Sequence, residues 1–162
     1  MNNYKTKYFG ELAVDETSDY EYFDLSYNNE TMYIALSGFN GEAEKTAKCM
    51  EIIDRYAEIY ETSVKAIVEN YHDNEVIRYY FKFHFDFLDQ EQTKAIFGIT
   101  GFNDFSIENF AKKLDCPDLV FTLEYGEISV SVDYRVSKEF SDEVLCVKMN
   151  EDLYIMDFTR EN

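Results

Sequence analysis

The chain has no tryptophan, one proline and only six glycines among 162 residues. So little turn and linker material excludes low-complexity tracts. The length fits a single domain, residues 1–162, whose core needs no covalent staple. Cysteine is also scarce: Cys49, Cys116 and Cys146 are odd in number, and none stands in a C-x-x-C pair. Disulfide frameworks and zinc clusters need closer, paired spacing. Three reduced thiols are expected, two of them buried. No apolar run reaches the ~20 residues of a membrane-spanning helix. The opening Met1-Asn2-Asn3-Tyr4-Lys5 lacks the apolar stretch of a secretory signal, so a cytoplasmic location is expected.

The most telling absence is of bases. Between Lys7 and Lys45 there is no Lys or Arg, yet nine carboxylates occur: Glu11, Asp15, Glu16, Asp19, Glu21, Asp24, Glu30, Glu42 and Glu44. That stretch carries half of the net charge of −18. A field of one sign attracts basic surfaces and repels nucleic acid and anionic membrane. The 15 bases elsewhere are dispersed among acids, which argues against nucleic-acid binding. Catalytic signatures are missing too. Gly98-Ile99-Thr100-Gly101 is not followed by Lys-Ser/Thr, and no G-x-S-x-G, H-E-x-x-H or EF-hand loop is present. No catalytic residue, metal site or cofactor is therefore assigned.

What is present argues for a folded core. Apolar residues make up 46% of the chain and aromatics 17%, too many for disorder despite the charge. Tyr8 to Val14 reads as a first strand. Tyr20 to Tyr27 alternates, with Tyr20, Tyr22, Asp24 and Ser26 on one face and Glu21, Phe23, Leu25 and Tyr27 on the more apolar one. The Asn28-Asn29-Glu30 turn and the β-formers Thr31 to Ser37 complete a hairpin. The period then changes. Ala43, Ala47, Met50, Ile53, Ala57, Tyr60, Val64, Ile67 and Tyr71 recur at helical spacing, which predicts a long core-facing helix or two, with a break near Glu61-Thr62-Ser63. The segment Tyr79 to Leu88 fits either a strand or a helix. Gly98 to Phe105 reads as a loop, and Ser106 as the N-cap of a helix running to Leu114. Runs from Leu119, Ile128, Val144 and Leu153 predict a four-strand antiparallel meander. The fold class is thus α+β: an N-terminal hairpin and a C-terminal meander covered by helices.

Part of the C-terminal half resembles an uncharacterised family of bacterial domains known as DUF2004. The resemblance lies in Phe81-Lys82-Phe83-His84-Phe85-Asp86-Phe87-Leu88, the short helix Ile107 to Leu114, and the strand end Val132-Asp133-Tyr134-Arg135-Val136. It continues in Ser141 to Met149 and in the tail Ile155 to Asn162. Arg135, Ser141, Thr159 and Asn162 depart from the family pattern. The resemblance implies a bacterial, cytoplasmic, single-domain α+β protein and makes the His84 segment helical. The family brings no known activity. Small acidic bacterial proteins of this type often act as immunity proteins beside secreted toxins, an analogy of type only.

Three sets of residues are weighed as sites. His84 sits among phenylalanines without a partner at ligand spacing, and a hydrogen-bonded structural histidine is expected. Asp133, Asp142 and Glu143 read as a solvated strand face and a turn. Asp15, Glu16, Asp19, Tyr20, Glu21, Tyr22, Asp24 and Glu30 form the candidate partner-binding surface, since rigid tyrosines beside carboxylates suit protein contacts. The leading expectation is an acidic binding protein of the immunity type, not an enzyme, that neutralises a basic toxin-like partner, a nuclease being one form. The rivals are an enzyme or metal-dependent protein using His84 and nearby carboxylates, and a self-associating module.

Overall fold

A computed structural model describes all residues, 1–162. The chain opens with a two-stranded antiparallel hairpin, β1 (Asn2–Thr6) and β2 (Gly10–Val14). Only the second of these strands is legible in the sequence, and Tyr8 and Phe9 lie in the turn between them. Then come β3 (Tyr20–Tyr27) and β4 (Glu30–Ser37). Asn28 and Asn29 join them with φ of +51° and +63°. Two left-handed residues match the twist of a two-residue hairpin, and asparagine tolerates that conformation best after glycine.

Five helices follow: α1 (Ala43–Ile53), α2 (Tyr56–Asn70), α3 (Glu75–Phe87), α4 (Gln90–Phe97) and α5 (Ile107–Phe110). The apolar stripe of α1 and α2 is as expected, but the break falls at Asp54–Arg55, not at Glu61-Thr62-Ser63. Arg55 leaves helical geometry at φ −96°, ψ 22°, and the Asp54 carboxylate accepts the Lys7 N–H at 2.7 Å. Ser63 does not break α2, because its hydroxyl donates to the Tyr60 carbonyl and meets the Tyr134 hydroxyl at 2.6 Å. The His84 segment, which the spacing leaves open between strand and helix, is helical. Helix α4 is not anticipated, yet its signals are in the sequence. Asp89 and Gln92 exchange a reciprocal capping box, and Gly98 closes the helix at φ +74°. The Ser106 hydroxyl donates to the Glu108 carboxylate instead of capping the backbone. Helix α5 accordingly lasts four residues and passes into a 3₁₀ turn at Ala111–Lys113.

The chain ends in β5 (Asp118–Glu124), β6 (Glu127–Tyr134), β7 (Val144–Asn150) and β8 (Ile155–Glu161). One six-stranded sheet runs in the order β3-β4-β5-β6-β7-β8. Every pairing is antiparallel except β4 with β5, which run parallel. The expected hairpin and meander are thus one sheet. Parallel neighbours need a crossover, and all five helices lie in that connection, covering one face. Ile34, Leu36, Phe121, Val130, Val132, Leu145 and Val147 are buried under them.

An aromatic cluster binds the helical layer together. Phe85 stacks on Phe97 at 4.3 Å, Phe81 on Phe105 at 5.0 Å, and Phe110 meets Phe97 at 4.7 Å. Tyr80 ties α3 to the sheet end: its hydroxyl donates to the Glu143 carbonyl (3.1 Å) and accepts the Val136 N–H (3.1 Å). Buried tyrosines that satisfy their hydroxyls in this way add specificity to apolar packing.

Candidate functional site

Strand β3 is one edge of the six-stranded sheet. Its alternation sends Phe23, Leu25 and Tyr27 toward the core and Tyr20, Tyr22, Asp24 and Ser26 to the opposite face. The register pairs Tyr20 with Ser37, Tyr22 with Ala35 and Asp24 with Tyr33. Small partners on β4 leave both rings uncovered: Tyr20 is 55% exposed and Tyr22 48%. Tyr22 stacks on Tyr33 with centroids 5.0 Å apart, which fixes its orientation without hiding it. Burial raises the Tyr22 phenol, and a hydrogen bond to Asp24 adds to the shift. Burial, then the charge of Asp118, pushes Tyr33 up to about 12.

The eight predicted contact residues do not form one patch. Tyr20, Tyr22 and Asp24 share one face of β3, and Asp19 is exposed immediately before the strand. Glu21 points to the core side and is half-buried. Asp15 accepts from the Thr17 hydroxyl (2.7 Å) and N–H (3.0 Å), and these bonds hold it below the usual carboxylate range. Asn2 and the Tyr4 hydroxyl, the latter at 2.8 Å, do the same for Glu16. Glu30 pairs with Tyr27 at the far end of the hairpin, about 24 Å from Tyr20 at ~3.4 Å per residue. One of its oxygens accepts the Cys116 N–H at 2.5 Å.

A second polar group occupies the same sheet face. Asp118 is 2% exposed and accepts the Tyr33 N–H at 2.9 Å. Its carboxylate holds Arg135 Nη1 at 2.6 Å and Lys138 Nζ at 3.4 Å. That single carboxylate offsets one of the two positive charges, and the other remains beside it on this face. Sequence reasoning passes over Asp118, whose only signal is a carboxylate opening a strand of β-formers. Asp133 faces Asp118 across the β5–β6 ladder. It lies on the polar face as expected, but it is buried, not solvated. Strands on both sides shield it, and burial raises its pKa although the Ser131 hydroxyl donates to it at 2.6 Å. Asp142 is exposed. Glu143 is drawn to Arg160, whose Nε lies 2.9 Å from Oε2, close enough for charge pairing though not aligned as a hydrogen bond.

His84 is fully buried between α3 and the loop before β7. Its Nδ1 meets the Tyr80 carbonyl at 2.8 Å and its Nε2 the Ser141 hydroxyl at 2.7 Å. These partners set the tautomer: Nδ1–H donates to the carbonyl, and Nε2 accepts from Ser141, whose oxygen also accepts the Glu143 N–H at 3.2 Å. Burial lowers the His84 pKa, so the ring is neutral at pH 7. Nδ1 fixes the ring to its own helix, and Nε2 joins that helix to the loop.

All three cysteines are free, Cys49 and Cys146 buried and Cys116 half-buried. No three His, Cys, Asp or Glu side chains converge as a metal site would require. No helix is long and apolar enough to cross a membrane. A groove of about 880 Å³ between α3 and β8 has Glu75, Arg78, Lys82 and Arg160 among its lining residues. Lys82 and Arg160 are paired with Asp86 and Glu143, while Arg78 donates to the His72 carbonyl. No family model matches the chain, and no curated protein and no solved structure matches it.

Proposed function

We propose that this is a non-catalytic binding protein that docks the β3 edge of its sheet on a basic surface of a protein partner. Its most specific form is an immunity-type protein that neutralises a basic toxin, consistent with the DUF2004-like resemblance of the C-terminal half and with a bacterial, cytoplasmic setting. One observation carries the reading. Tyr20 and Tyr22 stand half-exposed on an uncovered sheet face, beside Asp19 and Asp24, in a stretch without a base. Rigid aromatic anchors cost little ordering entropy, and a one-signed rim accelerates encounter with an oppositely charged partner.

The test uses site-specific photo-crosslinking in host lysate, with the crosslinker at position 22 or, as a control, at the more exposed position 154. A basic protein recovered from position 22 alone supports the docking face. Its association rate should then fall on Asp19→Lys and Asp24→Lys together, and much less on Asp73→Lys and Glu91→Lys, which change net charge equally. Equal crosslinking from both positions, or equal slowing by both double reversals at low salt, refutes the site.

A further inference from the structure

The far end of the β3–β4 hairpin borders a pocket of about 350 Å³, within the size range of small-ligand sites. Its walls include Tyr27 from β3, Tyr56 and Tyr60 from α2, and the carboxylates of Glu30 and Glu61. Packing fixes the rings before any ligand arrives. Tyr27 and Tyr56 meet edge to face with centroids 5.0 Å apart, and the Tyr56 hydroxyl lies 3.0 Å from Cys116 Sγ. Glu30 is fixed through one oxygen by the Cys116 N–H, which leaves the other oxygen free to face a ligand. The Tyr60 phenol is raised by burial and also by the charge of Glu30, so that field reaches the pocket. The one base at the site, Lys112, is solvent-exposed, and the two carboxylates outweigh it.

Aromatic faces attract cations, and the aliphatic stems of arginine and lysine pack well on them. Carboxylates at the same site supply charge-assisted acceptors for the head group. We infer that this pocket receives one arginine or lysine side chain of a protein partner. The inference rests on the partner being basic and extends that reading. The Tyr20–Tyr22 face gives contact area, and the pocket gives a single buried anchor at the opposite end of the same hairpin.

The test titrates the full chain with the acetylated, amidated tripeptides Gly-Arg-Gly and Gly-Lys-Gly, with Gly-Glu-Gly as control, followed by NMR. The ring signals of Tyr27 and Tyr60 should shift saturably with the two cationic peptides and not with the anionic one. The paired change Glu30→Gln and Glu61→Gln keeps an acceptor for the Cys116 N–H and should weaken binding about fivefold or more. Absent shifts, shifts spread evenly over the acidic surface, or an unchanged double variant overturn the pocket. A deca-lysine probe separates this inference from the docking face. If the double reversal at Asp19 and Asp24 weakens deca-lysine binding while the pocket variant does not, the pocket falls and the docking face stands. The reverse pattern removes the docking face and keeps the pocket.

Discussion

Replacing His84 with phenylalanine tests whether this histidine is structural. The side chain is fully buried, with Tyr80 edge-on at 4.7 Å and Phe83 at 5.4 Å. His84→Phe removes the bonds to the Tyr80 carbonyl and the Ser141 hydroxyl. The carbonyl remains within helix α3, so losing its second donor costs little. The Ser141 oxygen still accepts the Glu143 N–H, but its own hydrogen loses its acceptor. An orphaned buried hydroxyl costs about 1–3 kcal/mol, and the extra apolar burial of phenylalanine offsets roughly 1 kcal/mol of that. The expected net loss is about 1 kcal/mol, or a fall in Tm of about 2–4 °C for a domain of this size. Adding Ser141→Ala to His84→Phe removes the orphaned hydroxyl but also the acceptor of the Glu143 N–H, so it should recover only part of that loss in a double-mutant cycle.

The pH dependence follows from the same geometry. Burial depresses the folded pKa of His84 below its ordinary value. The unfolded chain therefore takes up the proton first, and the wild type loses this stability as pH falls below about 6.5. The difference in stability between wild type and variant, measured by denaturant unfolding, should be largest above about pH 7 and shrink toward acid. A variant as stable as wild type, or a difference that is flat between about pH 7 and 5, would refute the structural account.

Two further predictions use the sheet. Asp133→Asn should raise Tm by a few degrees at pH 7, because it removes a buried charge yet keeps an acceptor for the Ser131 hydroxyl. The raised folded pKa of Asp133 favours the protonated form, so the gain should disappear below the ordinary aspartate value, and a gain that persists in thermal melts at about pH 3 contradicts it. Gly38→Ala should cost at least about 2 kcal/mol by chemical denaturation, since φ is +82° and a Cβ would stand 2.5 Å from the Leu123 carbonyl oxygen. A neutral result there would mean that the backbone around Gly38 and Leu123 yields more readily than its geometry implies.

Much of the candidate surface is legible from alternation alone. A period of two assigns Tyr20, Tyr22 and Asp24 to one face before any partner strand is known. Which of those faces stays open is not legible, because it depends on the helices covering the other side. The grouping of acids along the chain likewise gives no sign that Asp15, Glu16 and Glu30 are engaged by Thr17, Tyr4 and the Cys116 N–H. The partners of Glu16 and Glu30 are 12 and 86 residues away. The pocket at Tyr27, Tyr56 and Tyr60 joins residues from a strand and a helix that no local period connects.

By itself the sequence determined the α+β class, the β3–β4 hairpin, the helical stripe from Ala43 to Tyr71 and the strong negative charge, because each is a local property of spacing or composition. Only the tertiary structure decided that the hairpin and the meander share one sheet. A parallel β4–β5 pairing closes over a crossover of residues 38–117, and loop closure on that scale leaves no local trace. The base-free stretch was visible from the start as a charge. The fold turned it into geometry, with an open tyrosine face at one end of a hairpin and an aromatic pocket holding carboxylates at the other.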